Sequence, residues 1–158
     1  MLGFCGTYSG TIDDKGRLSI PSKIRPGDPE TSQKKGIPAA DRLIVTQGFD
    51  GCLSLYPESE WEKVQQRLET KSFAQKDLRF LNRRLHQFTS IEKIDRSGRI
   101  HIPEILRKLA GLGKEVLVLG ANQTIEIWDP DQYEKYMDNY GRTLEEVAEG
   151  LYTDDPNR

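Results

Sequence analysis

One fifteen-residue stretch of this chain occurs twice. Laid over each other without a gap, residues 11–25 (TIDDKGRLSIPSKIR) and 93–107 (KIDRSGRIHIPEILR) agree at seven positions, 82 residues apart. The identities are Ile12/Ile94, Asp13/Asp95, Gly16/Gly98, Arg17/Arg99, Ile20/Ile102, Pro21/Pro103 and Arg25/Arg107, and Leu18/Ile100 and Ile24/Leu106 are conservative. Such a chain must build one structural unit two times. Enzyme sites are usually assembled once, from unlike residues. Paired copies of one polar motif suit a repeating or two-fold partner, of which DNA is the commonest.

Within each copy the pattern predicts a hairpin. Residues 7–12 read as a strand, and residues 17–20 as its return, with Leu18 and Ile20 alternating with Arg17 and Ser19. A three-residue loop, Asp14-Lys15-Gly16, joins them, and glycine is the residue that takes positive φ at such a loop's end without strain. That length sets Asp13 opposite Arg17. Arg96-Ser97-Gly98 does the same between Asp95 and Arg99. Pro21 and Pro103 end the strands and can start helical turns, and Ile105, Leu106 and Leu109 predict a short amphipathic helix in the second copy.

A second duplicated block comes after the hairpin in each copy. Strands are expected at 43–45 and 116–119, then at 53–56 and 125–128, before helices opened by Pro57 and Pro130 that carry Trp61 and Tyr133 as core anchors. The expected division is a first module over 7–70, a connecting helix over 71–88, a second module over 89–140, and a C-terminal helix and tail over 141–158. Half a barrel per copy would leave an open sheet edge, which intertwining the copies closes. Ser72 with Gln75, and Thr143 with Glu146, form capping-box patterns before apolar stripes at Leu78, Leu81 and Leu85 and at Leu144, Val147 and Leu151. Arg79, Arg83 and Arg84 fall mostly off the first stripe. Residues 26–40 (PGDPETSQKKGIPAA) read as a mobile surface loop inserted in the first copy only.

A net charge of −2 looks wrong for a nucleic-acid binder until its distribution is considered. From Glu126 onward ten acidic residues face three basic ones, leaving −7, so residues 1–125 carry +5. Each repeat is itself +2. An acidic tail on a basic body is compatible with DNA. No apolar run approaches the ~20 residues of a membrane span, no basic-then-apolar leader is seen, and Cys5 and Cys52 make no CxxC. The expected location is the cytoplasm, without membrane association.

The turns are the sharpest chemical signal. An Asp–Arg pair beside a tight turn presents a guanidinium, with Lys15 at the tip, to phosphates or to guanine in the major groove. The plainer alternative is a salt bridge that pins hairpin register. The two are compatible, because arginine has five donors. Arg25 and Arg107 recur as well, either as solvated helix-end cations or as further DNA contacts. His86 and His101 lack partner spacing for a metal or a base. No nucleophile elbow, phosphate-binding glycine loop or His/Cys cluster appears, so neither enzyme activity nor a cofactor is expected.

At GTYSGTIDDKGRLSIPSKIR, VTQGFDGCLSLYPESEWEKV, IDRSGRIHIPEILRKLAGL and EVLVLGANQTIEIWDPDQYEKY the chain resembles the MraZ family, bacterial regulators found with cell-division and cell-wall genes. The likeness spans nearly the whole chain. It implies an α+β fold of two tandem AbrB-like swapped-hairpin β-barrel modules with flanking helices, related by a pseudo-two-fold. It also implies a ring-shaped homo-oligomer on the nucleoid that binds short promoter repeats of double-stranded DNA and tunes its own operon. Asp13, Arg17, Asp95 and Arg99 map onto the family's Asp-x-x-x-Arg motif, with Lys15 at the first tip. The second tip has Arg96-Ser97 where the first has Asp14-Lys15, and the 26–40 stretch interrupts the helix that usually comes after the first hairpin. The competing expectation is a non-catalytic, oligomeric protein-interaction scaffold.

Overall fold

Alternating apolar residues become eight strands: β1 (Phe4–Thr11), β2 (Arg17–Ser19), β3 (Arg42–Gln47), β4 (Leu53–Tyr56), β5 (Ser90–Lys93), β6 (Arg99–His101), β7 (Glu115–Asn122) and β8 (Thr124–Trp128). Five α-helices accompany them among the described residues: α1 (Glu58–Glu69), α2 (Lys76–His86), α3 (Glu104–Leu109), α4 (Pro130–Asn139) and α5 (Leu144–Thr153). The computed structural model describes residues 3–28 and 39–153. The chain is α+β, as its sequence predicts.

The sheet order carries the repeat. Six antiparallel strands run β1-β7-β8-β4-β3-β5, and β2 pairs with β6 in a separate ribbon. Exchanging equivalent strands of the two copies (β1 with β5, β3 with β7, β4 with β8) reverses that order and leaves it unchanged. A pseudo-two-fold therefore passes between β4 and β8, and again through the Leu18–Ile100 pair of the ribbon. The first strand of copy one lies not on its own return but on β7 of copy two.

Here the hairpin expectation needs a correction. β1 and β2 meet only at the turn, through the Ile12–Leu18 bridge and the Asp13 N–H to Arg17 carbonyl bond of 2.9 Å. Beyond it β2 leaves β1, which pairs with β7, and crosses to β6 of the other copy. Buried Leu18, Ile20, Ile24, Ile100, Ile102 and Leu106 from the two repeats join Leu43, Leu53, Val116 and Ile127 in one core cluster. Burial of such side chains contributes roughly 1.5–3 kcal/mol each, so neither copy keeps its core without the other.

The helices depart from expectation in instructive ways. Pro57 and Pro103 precede α1 and α3, and Asp129 caps α4 by accepting the Gln132 N–H at 3.1 Å with Pro130 next to it. In copy one Pro21 opens only a 3-10 turn, Ser22–Ile24. The surface loop expected over 26–40 falls largely on residues 29–38, which lie outside the described residues. Thr143 and Glu146 form their reciprocal capping box, at 3.2 and 3.4 Å. Ser72 and Gln75 do not. Ser72 Oγ accepts from the Ala74 N–H, and the turn closes through Gln75 N–H to the Ser72 carbonyl, so α2 begins later at Lys76. Trp61 and Tyr133 are half-buried anchors against Tyr56 and Trp128, with ring centroids 5.5 and 5.2 Å apart, rather than core residues. Of the apolar face of α3 only Leu106 is buried, while Ile105 and Leu109 remain exposed.

Candidate nucleic-acid interface

One carboxylate organises each turn. Asp13 Oδ1 accepts the backbone N–H groups of Lys15 and Arg17, both at 2.9 Å, and Oδ2 accepts Arg17 Nε at 2.8 Å. Asp95 repeats this with Ser97, Arg99 and Arg99 Nε, all at 2.9 Å. Gly16 and Gly98 close the loops at φ +77° and +76°, donating to the Asp13 and Asp95 carbonyls at 2.9 Å. These bonds stabilise the ionised form. Both carboxyls sit below the usual aspartate value of 3.8, chiefly because of the arginine backbone N–H, with the guanidinium adding to it and partial desolvation opposing. At neutral pH each turn thus carries a fixed anion that holds Nε and leaves both terminal amino groups of its arginine without a partner among the described residues.

The ribbon decides where those groups point. Arg17 pairs with His101, Leu18 with Ile100, and Ser19 with Arg99. Leu18 and Ile100 are fully buried, so strand alternation turns Arg17, Ser19, Arg99 and His101 to the opposite, outward face. Arg17 and Arg99 are diagonal neighbours there, with backbones roughly 7–8 Å apart. Their side chains are equally accessible, at 33% each. Two arginines from two copies therefore share one face of the ribbon, each held at its own turn.

Lys15 and Arg96 stand exposed at the tips, and neither side chain has a hydrogen-bonding or ionic partner among the described residues. Arg25 and Arg107 are placed differently. Both are half-buried, and each packs against the turn of the other copy. Arg25 donates Nε and Nη2 to the Ile20 carbonyl at 3.1 and 2.7 Å, and a Cβ built on Gly98 would lie 2.1 Å from its Cζ. Arg107 donates Nε to the Ile102 carbonyl at 3.0 Å, and a Cβ on Gly16 would lie 3.2 Å from its Nη2. The strand ends are knitted the same way, with Ile20 N–H to the Gly98 carbonyl at 2.9 Å and Ile102 N–H to the Gly16 carbonyl at 2.7 Å. The side chain expected to be solvated is instead a brace between copies.

Sequence reasoning passed over Ser19 and His101 as members of this face. Their signal was the strict alternation with Leu18 and Ile100. His101 Nδ1 lies 3.7 Å from Glu92 Oε2, whereas His86 on α2 bonds Gln65 and the Asn82 carbonyl, away from the ribbon. Cys52 offers no reactive thiol to the face: it is buried, and desolvation pushes its thiol up to about 12. Among the described residues no His, Cys, Asp or Glu cluster gathers as metal ligands, and no helix is long and apolar enough to cross a membrane.

Over residues 3–84 and 89–153 the chain matches the family model described as "MraZ protein, putative antitoxin-like". The chain belongs to the MraZ family. Two segments match, one for each copy of the repeat. Proteins named "Transcriptional regulator MraZ" from Pelotomaculum thermopropionicum and Desulforamulus reducens are 37% and 34% identical to it. Both alignments run over 148 residues, which is 94% of this chain and 94% and 96% of theirs. A like-named protein from Heliobacterium modesticaldum is 34% identical over the same span.

Proposed function

We propose that this MraZ-family chain is a sequence-specific DNA-binding transcriptional regulator, acting in the cytoplasm on the nucleoid rather than as an enzyme. In this reading its two AbrB-like halves interlock through a swapped pair of hairpins. The β2–β6 ribbon meets the duplex, Arg17 and Arg99 reach base edges, and Lys15 and Arg96 meet phosphates. Arg25 and Arg107 act behind them, holding each turn from the opposite copy. The observation that carries the proposal is the emergence of Arg17 and Arg99 from one exposed face, each pinned by Nε alone. The names of the relatives support the same reading.

One ribbon offers few contacts. Several copies in a ring, each on a successive short repeat of the promoter, would multiply weak affinities into a strong one. The target expected for such an assembly is the chain's own cell-division and cell-wall operon. The test is fluorescence anisotropy with DNA from immediately upstream of the gene, against unrelated DNA as competitor. Preferential binding that weakens steeply with salt is expected, since phosphate neutralisation releases counterions. Equal binding to both DNAs, or an affinity indifferent to salt, would defeat the proposal and leave the interaction-scaffold reading in its place.

A further inference from the structure

Equivalent arginines make the ribbon nearly two-fold, but the other residue on its outward face breaks the match. Ser19 of copy one and His101 of copy two hold the same position of the repeat. In the β2–β6 register Ser19 lies opposite Arg99, and His101 lies opposite Arg17. Both are exposed. The Gly98 end of the ribbon therefore carries an arginine and a hydroxyl, whereas the Gly16 end carries an arginine and an imidazole.

The imidazole is held in place. Its Nδ1 lies 3.7 Å from Glu92 Oε2, within ion-pair reach, and the Glu92 side chain is only 21% exposed. Ser90 Oγ donates to Glu92 Oε1 at 2.5 Å and fixes the carboxylate. On its other side His101 meets the turn of copy one: a Cβ built on Gly16 would lie 3.3 Å from its Nε2 and 3.2 Å from Arg107 Nη2. The ring thus sits between β5, the Gly16 turn and the arginine of α3. Its side chain is still 47% exposed, and Nε2 has no hydrogen-bond partner among the described residues.

Copy one cannot build the same arrangement. Gly10 stands where copy two has Glu92, and a Cβ there would already lie 3.0 Å from Leu18 Cδ1 and 3.2 Å from Val118 Cγ2. No acid fits at that position. Over Gly98 the three nearest atoms to a built Cβ all belong to Arg25, at 2.1–2.5 Å. Over Gly16, His101 shares the corresponding place with Arg107. The difference between serine and histidine thus extends from the outward face to the packing of the turn beneath it.

We infer that His101 is a further base-reading residue of the ribbon and, lacking a counterpart in copy one, gives the protein one direction along the duplex. A two-fold reader matches a palindrome, because both of its halves meet the same bases. A face with arginine and imidazole at one end, and arginine and hydroxyl at the other, matches a directional site instead. The carboxylate at Nδ1 favours the tautomer protonated there, so the neutral ring turns an acceptor, Nε2, outward. Its complement in the major groove is the amino group of cytosine or adenine, whereas arginine selects guanine. The inference rests on the DNA face of the function proposed above and names a determinant of its specificity.

Anisotropy with a short duplex from immediately upstream of the gene, each base pair substituted in turn, tests it. Wild-type protein should show sensitive positions, each worth about tenfold in affinity, that are not mirrored about the centre of the site. His101→Ser should bring one or two adjacent positions on one side to within about twofold for all bases, with the rest of the profile kept. Glu92→Ala should relax the same positions and add nothing in the His101→Ser background. Ser19→Ala should leave the profile as it is. Urea midpoints of the position 19 and 101 variants should match wild type, since both side chains are exposed. A loss spread evenly over all positions with a shallower salt slope makes His101 a phosphate contact and overturns the inference. Mirrored relaxation in Ser19→Ala overturns it too. Upstream DNA bound no better than unrelated DNA removes the regulator and this inference together, whereas discrimination that survives His101→Ser intact removes only the inference.

Discussion

Asp13 and Asp95 hold their turns through the same three bonds, between 2.8 and 2.9 Å in both copies, although the residues between Asp and Arg are mostly different. The segments beyond the turns differ far more. Copy one continues into a 3-10 turn and copy two into a full helix, and their closing helices end packed and exposed respectively. A turn fixed by one carboxylate within four residues is insensitive to its surroundings. A helix stabilised by its apolar face takes whatever surface the linker lets it reach. The repeat is therefore strict at the ribbon and loose at the periphery.

The most severe test of that strictness is the buried pair beneath the arginines. Leu18→Ala and Ile100→Ala should each cost about 2–5 kcal/mol in urea unfolding, with nearly equal losses. Because the two side chains face each other, the double variant should lose less than the sum. A loss confined to one copy would show that the ribbon is not an equal partnership. Next in size are the guanidiniums. Arg17→Ala and Arg99→Ala should each weaken upstream-DNA binding by ~1–3 kcal/mol, with Arg17 at least as damaging as Arg99. Arg25→Ala should act through the Gly98 turn it braces. Its effect should add to that of Arg17→Ala and largely vanish in an Arg99→Ala background. A uniform additive loss with a shallower salt slope would instead make Arg25 a phosphate contact.

The glycines sharpen the comparison further, because their turns match in φ but not in space. A side chain at positive φ costs roughly 1–2 kcal/mol, which Gly16→Ala and Gly98→Ala share. At Gly98 the new Cβ would also stand 2.1 Å from Arg25 Cζ and expel the brace, while at Gly16 the tightest neighbours stay 3.2–3.3 Å away. Gly98→Ala should be the costlier in thermal or urea unfolding. Equal losses would mean that the Arg25 brace contributes nothing to stability.

Where an element is decided by bonds within a few residues, it could be read directly from the letters. That holds for both turns, their positive-φ glycines, the Asp–Arg pairs and the Thr143–Glu146 box. The crossing of β2 to β6 could not, because it depends on which sheet edge β1 leaves free, a fact set 110 residues downstream at β7. Ser72 and Gln75 carried the letters of a capping box, but Ser72 bonds locally to Ala74 and delays the helix. Leu144, Leu151, Ile105 and Leu109 read as the apolar faces of helices yet stay exposed, because periodicity marks such a face without naming its partner. The identity of Arg25 and Arg107 was legible. Their role was not, since each acts on a turn about eighty positions away.

Titration of the turn carboxylates gives the smallest effect and the cleanest symmetry test. Both aspartates sit below 3.8 in the folded chain for the same leading cause, an arginine backbone N–H, so near pH 4 the unfolded chain binds more protons than the folded one. Their contribution to stability is then fully present above about pH 4 and is lost as pH falls through the folded values. Asp13→Asn and Asp95→Asn keep an oxygen able to accept the two backbone N–H bonds but remove the proton-binding step. Each variant should be less stable than wild type at pH 6 and converge with it as the pH approaches 3. The two curves should overlay. If only Asp95→Asn converges, the anion of the first turn is held by something besides Arg17 and Lys15, and the two turns are not electrostatic equals.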